Sequence, residues 1–491
     1  MKCYRAHPIM ILENLWRFLF LLILPLVRGF FAALQGGLGD WLAGAWFDIL
    51  VLLVMVGLSV IQWLRFQIRF TDRLLQVDWG IFYRKRSRIQ LDQVCTVSVV
   101  RPFFLKPFGA VHMTVDTLAG NSDTVDLRLT ISRKLSEQVI RGQNLREYDR
   151  SEVRSYRPGT VNVAVLSIMM SNSLAGILFL VALISQLGNL LGEAFSNRIV
   201  GTFQRFAQMM AFGIPPAAAA LAYILLFGWL YSVLLNMVRY QRFTVGRTHK
   251  ALLISGGVIT NRDYCIALDS INFVDIRQTL MSRLFGIYSV FVNAVGFGKQ
   301  KDDLSAVLPA TTRQGMRRCM AYLLPEYREK QRQLKPNAGA IFKFIIEPIW
   351  ACVLIPAAAT VVYLLFERWR DVTVFIGVML MLPAVWFLAI RLWDFFTSGV
   401  AFDGEYYTLR YSKGMFLHTV IIPKSKMAYV DVRQSIIQKT DQKCDVKFRT
   451  IFESRNIHHI RNIDRQEAID ICGLDVDAGD ETKTPIRPAV K

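Results

Sequence analysis

The sequence predicts a polytopic α-helical membrane protein built from three copies of one unit, each a pair of transmembrane helices followed by a small basic β-rich domain. Three observations predict it. Hydrophobic residues make up 53% of 491 residues and charged residues only 20%, with a mean hydropathy of +0.33. Apolar residues in that excess need lipid, or an unusually large core, to receive them. Six apolar stretches arrive in three close pairs, and the long stretches that follow the pairs share one spacing of apolar residues.

A helix crossing roughly 30 Å of hydrocarbon needs about 20 apolar residues. Residues 15–34, 44–64, 161–187, 208–238, 344–366 and 372–393 qualify. Only Glu367–Asp371 separates the last two, as in a helical hairpin. Orientation follows from the basic residues at the span ends. The loop Gln35–Gly44 contains no Lys or Arg, whereas Arg65, Arg69, Arg73 and Arg84–Arg88 follow the second span and Arg239, Arg242, Arg247 and Lys250 follow the fourth. Positive residues are retained inside, so both termini and all three β-rich segments are expected in the cytoplasm of a multi-pass cell-membrane protein. Leu187, Leu190, Leu191, Phe195, Ile199, Phe203 and Phe206 recur at helical steps. Residues 188–207 either lie in the outer interface as an amphipathic helix or extend the third span. The first span has no signal-peptide cleavage pattern and reads as an anchor. The seven scattered cysteines form no zinc-like spacing and read as reduced thiols.

The repeat is most visible after each pair. Gly80 precedes Ile89-Gln-Leu-Asp-Gln-Val94-Cys-Thr-Val97, Gly257 precedes Ile266-Ala-Leu-Asp-Ser-Ile271-Asn-Phe-Val274, and Gly414 precedes Ile422-Pro-Lys-Ser-Lys-Met427-Ala-Tyr-Val430. Apolar steps of five and then three recur in all copies, with a glycine where a tight turn between strands wants one. Short helices are expected after Ser132, after Thr311-Thr312 and from Asp464-Arg465-Gln466-Glu467, which has the form of a capping box.

These residues resemble the bacterial pleckstrin-homology-like domains of the bPH2 (DUF304) family, whose pattern is an Ile-Pro-x-x-Lys-Ile-x-x-Val-like stretch after a glycine hairpin. Ile422-Pro423, Lys426-Met427 and Val430 match it best; the first two copies lack the Pro and the Lys. The triple arrangement is similar to YdbT-type membrane proteins of bacteria, with His7-Pro8, Arg157-Pro158 and Lys335-Pro336 as repeat starts. The resemblance implies three cytoplasmic PH-like β-barrel-plus-helix domains and no catalytic activity. The expected boundaries are membrane pairs at 1–64, 156–238 and 335–393, PH-like domains at 65–155, 239–334 and 394–475, and a flexible tail at 476–491.

No phosphate-binding loop, zinc-protease motif or nucleophile elbow is present, and no cofactor is expected. His458 and His459 are adjacent in a strand, so they point to opposite faces and do not share a metal. Ser171-Asn172-Ser173 beside Gly176 suits helix packing better than a solute path. Cations recur in register: Lys106, Arg283 and Lys439 stand nine residues after the valines, with Arg101, Arg277 and Arg433 close by. Beside a bilayer they suit anionic headgroups; alternatively they pair with Asp275 and Asp431 or serve as retention signals. The expected function is a non-catalytic scaffold that binds anionic membrane lipids or a membrane-protein partner, its own copies included, with a role in envelope maintenance or resistance to membrane-active peptides by analogy. A transporter or export component using the six helices is the alternative. The net charge of +20 also suits nucleic acid, but the membrane reading accounts for it and no nucleic-acid partner is expected.

Overall fold

The computed structural model describes residues 2–15, 38–71, 74–81, 83–118, 125–142, 154–171, 201, 216–297, 306–451 and 457–473. Nearly all of span 15–34, most of 161–187, the start of 208–238, almost all of 188–207 and the whole 476–491 tail lie outside these residues.

Among the described residues, three helices are long and apolar enough to cross a membrane: Tyr223–Tyr240, Ala338–Leu365 and Glu367–Thr397. The first lies within α4 (Pro216–Tyr240), after α1 (Leu38–Arg65), α2 (Arg133–Gly142) and α3 (Thr160–Met170). The short α5 (Leu280–Leu284) and α6 (Arg313–Leu323) follow. The last two long helices are α7 (Ile341–Leu365) and α8 (Arg370–Thr397). α7 and α8 form a hairpin that leaves Trp350, Leu354, Leu364, Val378 and Leu382 exposed, a surface water would not tolerate at this size. A Cβ at Gly377 would lie 3.2 Å from Ala359, so the missing side chain lets the two helices approach closely.

The β-rich segments follow one plan. In the first repeat, β1 (Lys2–Arg5), β2 (Gln67–Thr71), β3 (Leu74–Trp79) and β4 (Lys85–Gln90) form an antiparallel sheet in that order. The strand that opens the repeat thus closes onto the one that follows α1, Lys2 opposite Phe70. Gly80 turns β3 into β4 with φ +118°, and any Cβ there would strike the Tyr83 carbonyl. Gly257 and Gly414 also have positive φ, which a side chain would oppose. A single 3₁₀ turn, Leu91–Gln93, then carries the chain around a corner into β5 (Val94–Arg101), followed by β6 (Ala110–Thr117) and β7 (Leu127–Ser132). That corner explains the five-residue step between Ile89 and Val94, and it recurs at Leu268–Ser270 and Lys424–Lys426.

The second repeat supplies β9 (Thr244–Arg247), β10 (Ala251–Gly256) and β11 (Asn261–Ala267) before its corner, with β8 (Arg154–Tyr156) preceding its helices. After the corner come β12 (Ile271–Thr279), β13 (Ile287–Ala294) and β14 (Ala306–Thr312). The third supplies β15 (Gly399–Phe402), β16 (Tyr406–Lys413) and β17 (Phe416–Pro423), then β18 (Met427–Arg433), α9 (Ile436–Thr440), β19 (Lys443–Thr450), β20 (Ile457–Asp464) and α10 (Arg465–Cys472).

The repeats are joined by their sheets. One sheet runs β7-β6-β5-β11-β10-β9-β8, so the first repeat continues into the second; another runs β14-β13-β12-β17-β16-β15 and carries the second into the third. The chain separates into two compact units, and the division passes through the middle repeat. Val245–Ser270 falls with the first repeat, whereas Ile271–Asn293 falls with the third.

Val97, Val274 and Val430 occupy the same place in β5, β12 and β18, and all three are buried. In the first unit the core joins Ile68, Leu75 and Val77 of one sheet to Val97, Met113 and Leu129 of the other, closed by Leu135, Val139 and Ile140 of α2. The third repeat packs Leu409, Ile422, Val430, Phe448 and Ile460 with Ala468 and Cys472 of α10 in the same manner. The closing helices start where the sequence places them. Ser132 accepts a bond from Leu135 N, Thr312 from Gly315 N, and Asp464 from Gln466 N and Glu467 N, satisfying otherwise orphaned amides.

Candidate functional site

The six cations fall into two groups. The arginines have protein partners. Arg101, at the end of β5, reaches Asp263 of β11 at 2.6 Å. Arg277 binds Asp275 at 2.6 Å and lies 4.4 Å over the Phe291 ring. Arg433 binds Asp431 at 2.8 Å. Pairing with local carboxylates, the alternative role, describes these three.

Lys106, Arg283 and Lys439 stand instead in the tip that follows each of β5, β12 and β18. Lys106 Nζ donates to the Val258 carbonyl at 2.6 Å, and Arg283 donates to Gln278 Oε1 at 2.6 Å. The second and third tips are held by local capping. Thr279 and Ser282 bond reciprocally at the start of α5, and Ser435 and Gln438 do the same at α9. Gly109 and Gly286 close the first two tips at φ +67° and +65°.

The apolar residues around these cations face out. Phe103 (65% exposed), Phe104 and Phe108 project from the first tip, and Met281, Leu284 and Phe285 (76%) from the second. In each of the first two tips one leucine is instead buried against a helical segment. Leu105 packs on Ile9, in the helical segment 9–15. Leu280 packs on Ile390 of α8, with Trp386 and Trp393 alongside. Just beyond the third tip, Lys443 Nζ lies 4.0 Å from where a Cβ of Gly339 would stand, directly before α7. The second tip is therefore seated on a helix end that carries tryptophan, a side chain favoured where bilayer meets water. Phe103, Phe104 and Met281 were missed, because apolar pairs at the end of a strand read as core until their exposure is seen.

Two polar clusters lie nearby. Arg391 of α8 donates to Glu347 of α7 at 2.8 Å and to Ser412 Oγ at 3.0 Å; Ser412 donates to Asp394 at 2.7 Å, and Arg461 reaches Glu347 at 3.3 Å. The charges at the base of the hairpin are thereby tied to β16 and β20. In the first unit a cavity of ≈ 710 Å³ is lined by Glu13, Asn14, Gln62, His112 and Arg128 together with Met55 and Leu58. Burial beside Arg128 pushes His112 down to about 4, and burial raises Glu13, which accepts from Thr130 at 2.8 Å. His458 is buried and 2.7 Å from the Tyr411 hydroxyl, while His459 faces Asp445. Among the described residues no group of three or more metal-ligating side chains converges.

Repeated sheets capped by a helix, each behind apolar helices, define a class that comparison identifies. A family model for the bacterial PH domain matches residues 19–146 and 194–315, and the chain belongs to that family. The UPF0699 transmembrane protein YdbT of Bacillus subtilis (strain 168) is 22% identical over 318 residues, 60% of this chain. The match spans 63% of that relative's length. No solved structure matches the chain significantly. The protein is thus a membrane-associated bPH-domain protein of the YdbT type.

Proposed function

We propose that the tips after β5, β12 and β18 enter the interfacial layer of the inner leaflet, where Lys106, Arg283 and Lys439 bind acidic lipid headgroups. The observation that carries this reading is the pairing, in the first two tips, of exposed apolar residues with a cation on loops seated against helical segments; the third tip joins them by its repeat position. Exposed Phe, Leu and Met cost free energy in water, about 25 cal/mol per Å² of apolar surface, and regain it in the acyl boundary. A cation at that depth meets phosphate. The reading includes six spans in three pairs, PH-like segments at 65–155, 239–334 and 394–475, and cytoplasmic termini. It describes a non-catalytic scaffold in envelope maintenance or resistance to membrane-active peptides. Within the α7–α8 hairpin, closure of Glu347, Arg391 and Asp394 into ion pairs favours a scaffold over a solute pathway, which would leave such groups facing a cavity.

Because strands are shared between repeats, the test uses the full chain. Each basic residue near an anionic surface contributes about 1 kcal/mol. Reversing Lys106, Arg283 and Lys439 to Glu in one chain should weaken retention of phosphatidylglycerol, over phosphatidylcholine, by at least tenfold. Native mass spectrometry of protein released from mixed bilayers measures it, and the wild-type preference should fall as salt rises. An unchanged preference in a folded triple variant would leave a protein partner as the better explanation.

A further inference from the structure

Each repeat has a strand before its corner (β4, β11, β17) and one after it (β5, β12, β18). At both junctions between repeats, the strand before the corner pairs antiparallel with the strand after the corner of the preceding repeat. The register is the same twice. Cys265 faces Val97 and Ile421 faces Val274, each pair being the residue before the repeat isoleucine against the repeat valine. Two such edges have no partner among the described residues: the outer edge of β4, which opens the series, and that of β18, which ends it. Burial agrees. β5 and β12 are buried over most of their length, but in β18 only Val430 is; β11 and β17 are partly buried, but most of β4 is exposed.

We infer that these two edges are complementary and that β18 of one copy pairs with β4 of a second, continuing the internal junction from chain to chain. The shared register sets Tyr429 opposite Ile89, Asp431 opposite Ser87 and Arg433 opposite Lys85. Charge fits the same positions. At the second internal junction Asp275 binds Arg277 on its own strand and His418 across the strands, at 2.6 and 3.0 Å. Asp431 already holds Arg433, and Lys85 occupies the repeat position of His418. Lys85, Arg86 and Arg88 guard β4 against indiscriminate pairing, so an acidic residue at this place on the incoming edge selects it. The contact is heterologous, head to tail, so copies extend a row or close a ring. This inference does not depend on the lipid reading.

Cross-linking between two distinguishable copies tests it. A chain with Lys85→Cys and one tag, and a chain with Arg433→Cys and another, are expressed together, both carrying Cys3→Ser, and oxidised in native membranes. A doubly tagged disulfide dimer is expected, at several times the yield of Lys85→Cys paired with the out-of-register Met427→Cys. The double variant should form a ladder of multiples. Ile89→Cys with Tyr429→Cys is a second in-register pair, which leaves Asp431 and Lys85 in place, should Arg433→Cys fail to accumulate. The inference is overturned if both in-register pairs give no more dimer than the out-of-register pair, or if the double variant closes only within one chain.

Discussion

Asp275-x-Arg277 and Asp431-x-Arg433 are the same motif at the same repeat positions, yet their surroundings separate them. Asp275 keeps 4% of its side chain exposed and Asp431 30%. Burial of Asp275 opposes its charge, but His418 and Arg277 outweigh that and hold its carboxyl down to about 2. Removing one partner of a buried pair strands the others, whereas exposed pairs contribute about 1 kcal/mol or less. Asp275→Asn should therefore cost about 3 kcal/mol and lower the melting temperature at pH 7, while Asp431→Asn should be nearly neutral to folding. A depressed carboxylate stabilises above its unfolded pKa, so this contribution is lost only as pH falls from about 4 toward 2. A buried histidine has the opposite charge and a different window. Burial holds His458 and His112 at about 4, so the unfolded chain binds more protons between about 6.5 and 4. The wild-type melting temperature should accordingly fall as pH drops through that range, which thermal scans at pH 7 and pH 5 would measure.

At the scale of elements, the repeat was legible because its spacing has a mechanical cause. Ile89, Val94 and Val97 flank a corner that recurs three times, and Ser132, Thr312 and Asp464 announce the closing helices in the sequence itself. Pairing between repeats was not legible, since alternation along a strand defines its buried face but says nothing of the neighbour at its edge. One signal was available. β4 reads Ser87-Arg88-Ile89 after Lys85 and Arg86, the chemistry of an open edge, whereas the positions of Ser87, Arg88 and Ile89 are filled by Tyr264-Cys265-Ile266 and Val420-Ile421-Ile422 in its counterparts, the chemistry of a covered one. The cations were legible as a register, and Asp275 and Asp431 two residues away were legible as partners of Arg277 and Arg433, but the partner of Arg101, Asp263, comes from a strand the sequence could not place. The valine positions carry a direct prediction. Val274→Asp puts an unpaired charge among fully buried neighbours and should destabilise its sheet by several kcal/mol, seen as loss of the monodisperse peak in mild detergent. Ser425→Asp, at the exposed corner before β18, should leave that peak intact.

At the scale of the whole molecule, the function proposed requires the first two tips to sit in lipid although neither belongs to a membrane span. Depth decides this directly. An environment-sensitive fluorophore would be attached at Phe104→Cys or Phe285→Cys in chains carrying Cys3→Ser, reconstituted with headgroup-labelled and chain-labelled quencher lipids. Glu405→Cys is the control, because its turn is separated from the end of α8 by the whole of β15. Residues 104 and 285 should show blue-shifted emission and quenching at interfacial depth, with residue 405 bright and water-exposed. Emission at 104 and 285 as red and unquenched as at 405 would place the tips in water and contradict the membrane-reading function.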